Sequence, residues 1–307
     1  MPLSEALEAW ARHDEPLASY TCLRVGGPAD LLIVCESIDE VVRAAKLAQR
    51  RGVDWRVLGG GCNVLVADSG VRGLVIVNRA ARVEFDGPVV RVETGALLAA
   101  LAGEAVKRGL AGLEWAAGLP GTVGGAVVGN AGAFEGNIAG ILRSAAVLEP
   151  GGEVVERPNE WFEFEYRLSR IKRQDAGGRE QGYVVLAATF ELEPQDPESL
   201  AARAREILEW RQTRHPAGAT MGSTFKNPPD SHAGYLIEQA GLRGCRVGGA
   251  QISELHGNFF MNTGDATAAD VWALIQHARA TVRQQFGVQL ELEIELLGEG
   301  PWRQKSA

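Results

Sequence analysis

No run of the 307 residues is both long and apolar enough to cross a bilayer. The opening MPLSEALEAW is acidic and lacks the cationic segment of a secretory leader. A cytoplasmic protein is therefore expected. Cys22, Cys35, Cys62 and Cys245 form no CxxC pair and no zinc spacing, which predicts reduced thiols. The histidines (His13, His215, His232, His256, His277) are scattered, so no metal site is expected. A formal charge of −8 disfavours nucleic acid or an anionic membrane as the main partner. What remains is an ordinary globular composition, 46% hydrophobic and 23% charged, with length enough for two domains.

One further absence is local. Between Arg108 and Arg143 there is no Lys or Arg, and the stretch Gly112 to Gly140, GLEWAAGLPGTVGGAVVGNAGAFEGNIAG, is broken by glycine throughout. It is too glycine-rich for a firm helix and too apolar for a solvated linker. Glycine lets backbone N–H groups curl around a ligand oxygen, so an anion such as a pyrophosphate can be held without cations. A buried crossover where segments pack closely is the alternative.

Elsewhere the chain alternates strand and helix signals. Asp30 to Cys35 reads as a buried strand, Ser37 to Glu40 as a capping box, and Trp55 to Leu58 as the next strand. The loop Gly59-Gly60-Gly61-Cys62-Asn63 follows a strand, as a dinucleotide loop should, but VLVADSGVRGLVIVN after it is strand-like. A Rossmann site needs a helix there. The loop is thus a phosphate-cradle candidate in an α+β context, or a plain tight turn. Val83 to Glu93 reads as a hairpin around Asp86-Gly87, and Ala145 to Glu156 as another. A boundary is expected at Pro194 to Pro197, giving domains 1–195 and 196–307. Arg173 to Gln181 reads as a polar loop, residues 1 to 18 as a short helix with a lead-in, and Thr267 with Asp270 as a second capping box. Val288 to Leu296 alternates strictly and reads as the last strand.

Six motifs in order carry a resemblance: YTCLRVGG from Tyr20, VLGGGCNVLVADSGVRGLVI from Val57, GLPGTVGGAVVGNAGAF from Gly118, YRLSRIK from Tyr166, GSTFKNP from Gly222 and LELEI from Leu290. Together they resemble the UDP-N-acetylenolpyruvoylglucosamine reductases of bacterial peptidoglycan synthesis, over roughly Tyr20 to Leu297. The resemblance implies an α+β protein: an FAD-binding domain of the vanillyl-alcohol-oxidase type and a smaller substrate domain. It also implies that NADPH reduces the flavin, which then passes hydride to the enolpyruvyl group of the UDP-sugar. Leu58, Gly59, Gly60, Gly61, Cys62, Asn63, Gly118, Pro120, Gly121, Thr122, Gly124, Gly125, Asn130, Ala131 and Gly132 would hold FAD. Neither loop contains a histidine, so FAD is expected to be non-covalent. Cys62 stands where the family more often has serine, replacing a hydroxyl donor by a weaker thiol. Ile171 stands at an often aromatic position. The segment between Lys172 and Gly222 is too short for a tyrosine-bearing insertion, which marks the shorter subtype.

Hydride addition beside a carboxylate builds negative charge that needs a cation and a proton source. By resemblance Arg167 binds the carboxylate, Ser223 donates the proton, and Glu293 acts with Arg167 on the developing charge. Read without it, Arg167 is a surface arginine beside Arg170 and Lys172. Ser223 is then a turn cap, and Glu293 one of three glutamates on a solvated strand face with Glu291 and Glu295. Tyr166, Arg214, Lys226 and Asn227 are weaker matches for substrate contacts. Arg214 could equally be the solvated end of the preceding helix. The rivals are a sugar or lactone oxidase of the same fold and a nucleotide-sensing module without turnover.

Overall fold

A computed structural model describes residues 10–175 and 182–303. The helix expected at the N-terminus and most of the Arg173 to Gln181 loop lie outside the described residues. Within them Arg12–Pro16 is a strand, and Arg173 belongs to the helix Arg170–Asp175. The chain forms two compact units: Met1–Arg12, Leu32–Gly60 and Gly73–Arg211 in the first, and His13–Leu31, Gly61–Arg72 and Gln212–Ala307 in the second. The last change of unit falls within helix Pro197–Arg214, after Arg211. Helix Pro197–Arg214 explains this, because its face packs on the glycine-rich stretch of the first unit. The Trp210 ring lies 5.1 Å from Phe134, and Arg211 Nη2 donates to Trp115 O at 3.2 Å.

In the first unit, Ser37 Oγ accepts the Glu40 N–H and starts helix Ile38–Arg50. That helix buries Val41, Ala44, Ala45 and Ala48, a stripe at helical spacing. Strand Trp55–Leu58 follows and pairs parallel with Leu74–Val77. A five-stranded sheet has the order Val154–Pro158, Leu142–Leu148, Val184–Glu191, Val89–Glu93, Val83–Asp86, with antiparallel neighbours. Both expected hairpins are present, with Asp86 opposite Val89 and Leu148 opposite Val154. Phe162, Phe190, Trp115 and Leu98 share one buried cluster.

The second unit has a four-stranded antiparallel sheet, Ala219–Ser223, Phe259–Asn262, Ala250–Ile252, Arg246–Val247. Helices Ala233–Gln239 and Ala268–Phe286 join it in a core with Phe225, Phe260, Leu274 and Ile275. The capping box is complete: Thr267 Oγ1 accepts from Asp270 N–H, and the Asp270 carboxylate from Thr267 N–H. Asp68 adds a second carboxylate at the same helix start, accepting from Ala268 and Ala269 N–H at 2.7 and 2.9 Å. The last strand is shorter than its alternation suggests. Only Glu295–Leu297 is bonded as a strand, parallel to Val64–Val66, with one isolated pairing of Leu292 and Phe225 before it. Among the described residues, no helix is long and apolar enough to cross a membrane.

Candidate active site

Leu58, Gly59 and Gly60 meet the Gly118 motif in the first unit, while Gly61, Cys62 and Asn63 belong to the second. Leu58 is buried at the end of its strand, and a Cβ on Gly59 would lie 2.3 Å from Thr122 Oγ1. A Cβ on Gly60 would lie 2.9 Å from the Gly121 Cα. Only glycine permits this approach, which sets the Gly59 and Gly60 backbone directly against Thr122 and Gly121. Thr122 is the N-cap residue of a six-residue helix, Val123–Val128, which the glycine content had not suggested. Two bonds anchor its start, Val123 N–H to Ala96 O and Gly124 N–H to Thr94 O, both 2.9 Å. Gly118 and Gly121 take φ of 70° and 109° around Pro120. Gly125 is on the exposed side of the short helix.

Asn130 organises the turn that follows. Its side chain donates to Glu165 O at 2.9 Å and accepts from Ala139 N–H at 3.1 Å, with its own φ at 43°. Ala131 N–H bonds back to Ala126 O at 2.9 Å. Gly132 O accepts from Arg167 Nη2 at 2.8 Å, and Ser169 Oγ donates to Val128 O at 2.6 Å. The YRLSRIK segment is therefore bound along the glycine stretch. Arg167 itself has φ of 57°, a left-handed conformation rare for a side-chain-bearing residue. Arg170 and Arg173 are occupied differently, by Glu163. The hydrogen bond from Arg170, then its charge and Arg173, hold the Glu163 carboxyl below its ordinary range. Tyr166 is exposed, with the Arg167 guanidinium 5.1 Å from its ring. Ile171 is buried in the core.

The cradle suits a diphosphate. Its first-unit segments, Leu58 to Gly60 and Gly118 to Gly132, contain no acidic side chain, and Gly59 and Gly60 lie close against Thr122 and Gly121. Sequence reasoning missed Arg211, which brings a cation to the stretch that has none of its own. Its guanidinium stands 5.4 Å from the Phe134 ring, and its Nε is buried without a hydrogen-bond partner. Burial lowers its pKa. The signal was its spacing: Ile207 and Arg211 are four apart on one helix, and Ile207 is buried.

In the second unit, Gly222 has φ of 75° and Ser223 sits opposite Phe259 after a register shift. Glu293 N–H donates to Thr224 O at 2.9 Å, and Lys226 N–H to Glu291 O at 2.9 Å. The GSTFK and LELEI segments thus run side by side, and this pairing puts Ser223 and Glu293 on adjacent segments of the chain. Glu291 is exposed with Lys226 Nζ at 3.8 Å, whereas Glu293 is half-buried. Asn63 bonds the same segment from its other side, donating to Glu293 O at 3.1 Å and accepting from Glu295 N–H at 2.9 Å. Asn227 Oδ1 accepts the Ala233 N–H at 3.1 Å, a helix-start contact. Arg214 is exposed in the last turn of its helix. Arg167 belongs to the first unit, Ser223 and Glu293 to the second. Cys62 and Cys22 form a disulfide rather than the free thiols expected, because the fold places their Cα atoms 4.8 Å apart. Cys35 and Cys245 are free.

An FAD-dependent oxidoreductase is the class that fold and cradle define. Residues 29–157 match the FAD-binding domain family, and residues 213–297 match the UDP-N-acetylenolpyruvoylglucosamine reductase C-terminal domain. The chain is 45% identical to the UDP-N-acetylenolpyruvoylglucosamine reductase of Rubrobacter xylanophilus, covering 94% of this chain and 96% of the relative. It is 40% identical to that of Bacillus subtilis, covering 93% of each. The crystal structure of UDP-N-acetylenolpyruvylglucosamine reductase from Thermus caldophilus superposes with a TM-score of 0.80 at 36% identity, over 94% of this chain and 100% of the other. The chain belongs to the UDP-N-acetylenolpyruvoylglucosamine reductase family.

Proposed function

We propose that this protein reduces UDP-N-acetylglucosamine enolpyruvate to UDP-N-acetylmuramate with NADPH, in cytoplasmic synthesis of peptidoglycan precursors that serves cell shape and division. The observation that carries the reading is the side-by-side pairing of the Ser223 and Glu293 segments through Glu293 N–H and Thr224 O. It supports the reading by putting Ser223 and Glu293 on neighbouring segments, a hydroxyl and a carboxyl of the kinds a carbanion-like centre needs for protonation and charge stabilisation. The residues of the two glycine motifs would hold FAD non-covalently, and the bound flavin would supply hydride-transfer chemistry with NADPH as donor.

The chain's own groups do the rest. Arg167 offers a planar fork to the enolpyruvyl carboxylate. Ser223 Oγ holds the proton destined for the adjacent carbon. Glu293 works with Arg167 on the developing charge, as a protonated acid or through a bridging water. Tyr166, Arg214, Lys226 and Asn227 are assigned to the phosphates and enolpyruvyl group. Cofactor binding is assigned to residues 1–195 and most of the substrate binding to residues 196–307, with Tyr166 and Arg167 as the substrate contacts from before that boundary. Purified protein should be yellow, bleach with NADPH in anaerobic buffer and recolour with the enolpyruvyl substrate. Recolouring by oxygen and a sugar-driven bleach without NADPH would instead indicate an oxidase.

A further inference from the structure

Cys22 and Cys62 belong to different motifs 40 positions apart, yet they are joined, with Cα atoms at 4.8 Å. That Cα separation lies in the range a disulfide spans without moving backbone. The approach does not depend on the sulfurs. Cys22 N–H donates to Gly61 O at 3.0 Å, and a Cβ on Gly61 would lie 2.1 Å from Tyr20 O. The segments are packed backbone to backbone, so the two thiols stay adjacent when the bond is open. Both cysteines are half-buried and within reach of small thiols. Cys35 is a poor competitor, since burial pushes its thiol up to about 12.

We infer that Cys22 and Cys62 form a reversible dithiol–disulfide couple that sets how firmly the Gly59 to Asn63 loop holds FAD. This rests on the FAD reading above. In the disulfide form the loop is cross-linked to the Tyr20 to Cys22 segment, and its backbone N–H groups are preorganised for the anion. In the dithiol form backbone packing alone holds it, and affinity falls. The exchange needs a low-molecular-weight disulfide as oxidant. One cysteine thiolate attacks it and expels a small thiolate; the second cysteine thiolate attacks the mixed disulfide and expels another. The two cysteine sulfurs lose two electrons in all, the small disulfide gains them, and the two cysteine protons end on the two released thiols. A small thiol in excess drives the reverse.

The test uses the full chain, freed of FAD and equilibrated with oxidised or reduced glutathione. Thiols are titrated after denaturation, intact mass separates the internal bond from a glutathione adduct, and FAD affinity is read by flavin fluorescence. Oxidised protein should show only Cys35 and Cys245 as thiols, and reduced protein all four cysteines. The Kd for FAD should rise about three- to tenfold on reduction, the scale of losing one preorganising constraint. Cys22→Ser, which leaves Cys62 in the loop, should match the reduced wild type in reduced buffer. Four thiols after oxidation, or one Kd for both states, overturns the inference and leaves the FAD reading standing. If neither state binds FAD, both readings are overturned.

Discussion

Gly59→Ala tests the meeting of the two glycine motifs directly. The new methyl would stand 2.3 Å from Thr122 Oγ1 and 3.5 Å from Thr122 Cβ. Gly59 is not in the left-handed region, so the effect is a clash and not backbone strain. Thr122 is buried at 3% exposure, and its β-branched side chain has few rotamers to retreat to. Forcing a methyl into such packing costs about 1–3 kcal/mol. Expressed at the cofactor loop, that is a loss of roughly 5- to 150-fold in FAD affinity. The remedy is equally specific. Thr122→Ala removes the offending oxygen, and the double variant should recover most of the loss, with a coupling energy of about 1–2 kcal/mol. Flavin fluorescence titration gives the four affinities of the cycle, and urea midpoints show whether folding is affected in parallel. Wild-type affinity in Gly59→Ala, or a double variant no better than the single, would refute the packing argument.

Four further outcomes are expected. Ser223→Ala should bind FAD and bleach with NADPH at close to the wild-type rate, while reoxidation by the enolpyruvyl substrate slows about 10²–10⁴-fold in stopped flow; unchanged reoxidation would make Ser223 a turn residue only. Thr267→Ala removes the acceptor for Asp270 N–H and should lower stability by about 1 kcal/mol in urea titrations. Its partner carries a pH signature. Hydrogen bonds from Thr267 hold the Asp270 carboxyl below its ordinary value, so its stabilisation is full above the unfolded carboxylate pKa and is lost as pH falls through the lower folded one. Asp270→Asn should abolish that part of the acid dependence, and an unchanged acid profile would contradict it. Acid precipitation of holoprotein should release all flavin to the supernatant; colour retained in the pellet would show a covalent link.

Features governed by neighbouring residues were legible before the structure. The Thr267–Asp270 box, the turns at Asp86-Gly87 and Pro150-Gly151-Gly152, and the missing helix after Asn63 all stand where local chemistry put them. Each depends on atoms a few residues apart. The motifs were legible too, because six ordered segments specify a family without coordinates.

What the sequence by itself determined, then, is which local devices exist and in what order. Tertiary structure decided which of them meet. Alternation at Val288 to Leu296 reports which way side chains face, not whether the backbone finds a partner, and only Glu295–Leu297 found one as a strand. Periodicity treated Glu291 and Glu293 alike; contacts from Thr224 and Asn63 hold the backbone at Glu293, which is half-buried, while Glu291 is exposed opposite Lys226. The helix after Pro194 to Pro197 lies with the first unit as far as Arg211, because Trp210 and Arg211 pack on the glycine stretch. Cys22 and Cys62 gave no spacing signal, since their meeting is made by Gly61 accepting Cys22 N–H across a 40-residue separation. Short-range preferences are written residue by residue; long-range pairing is settled by packing, where the only distance that counts is the one in space.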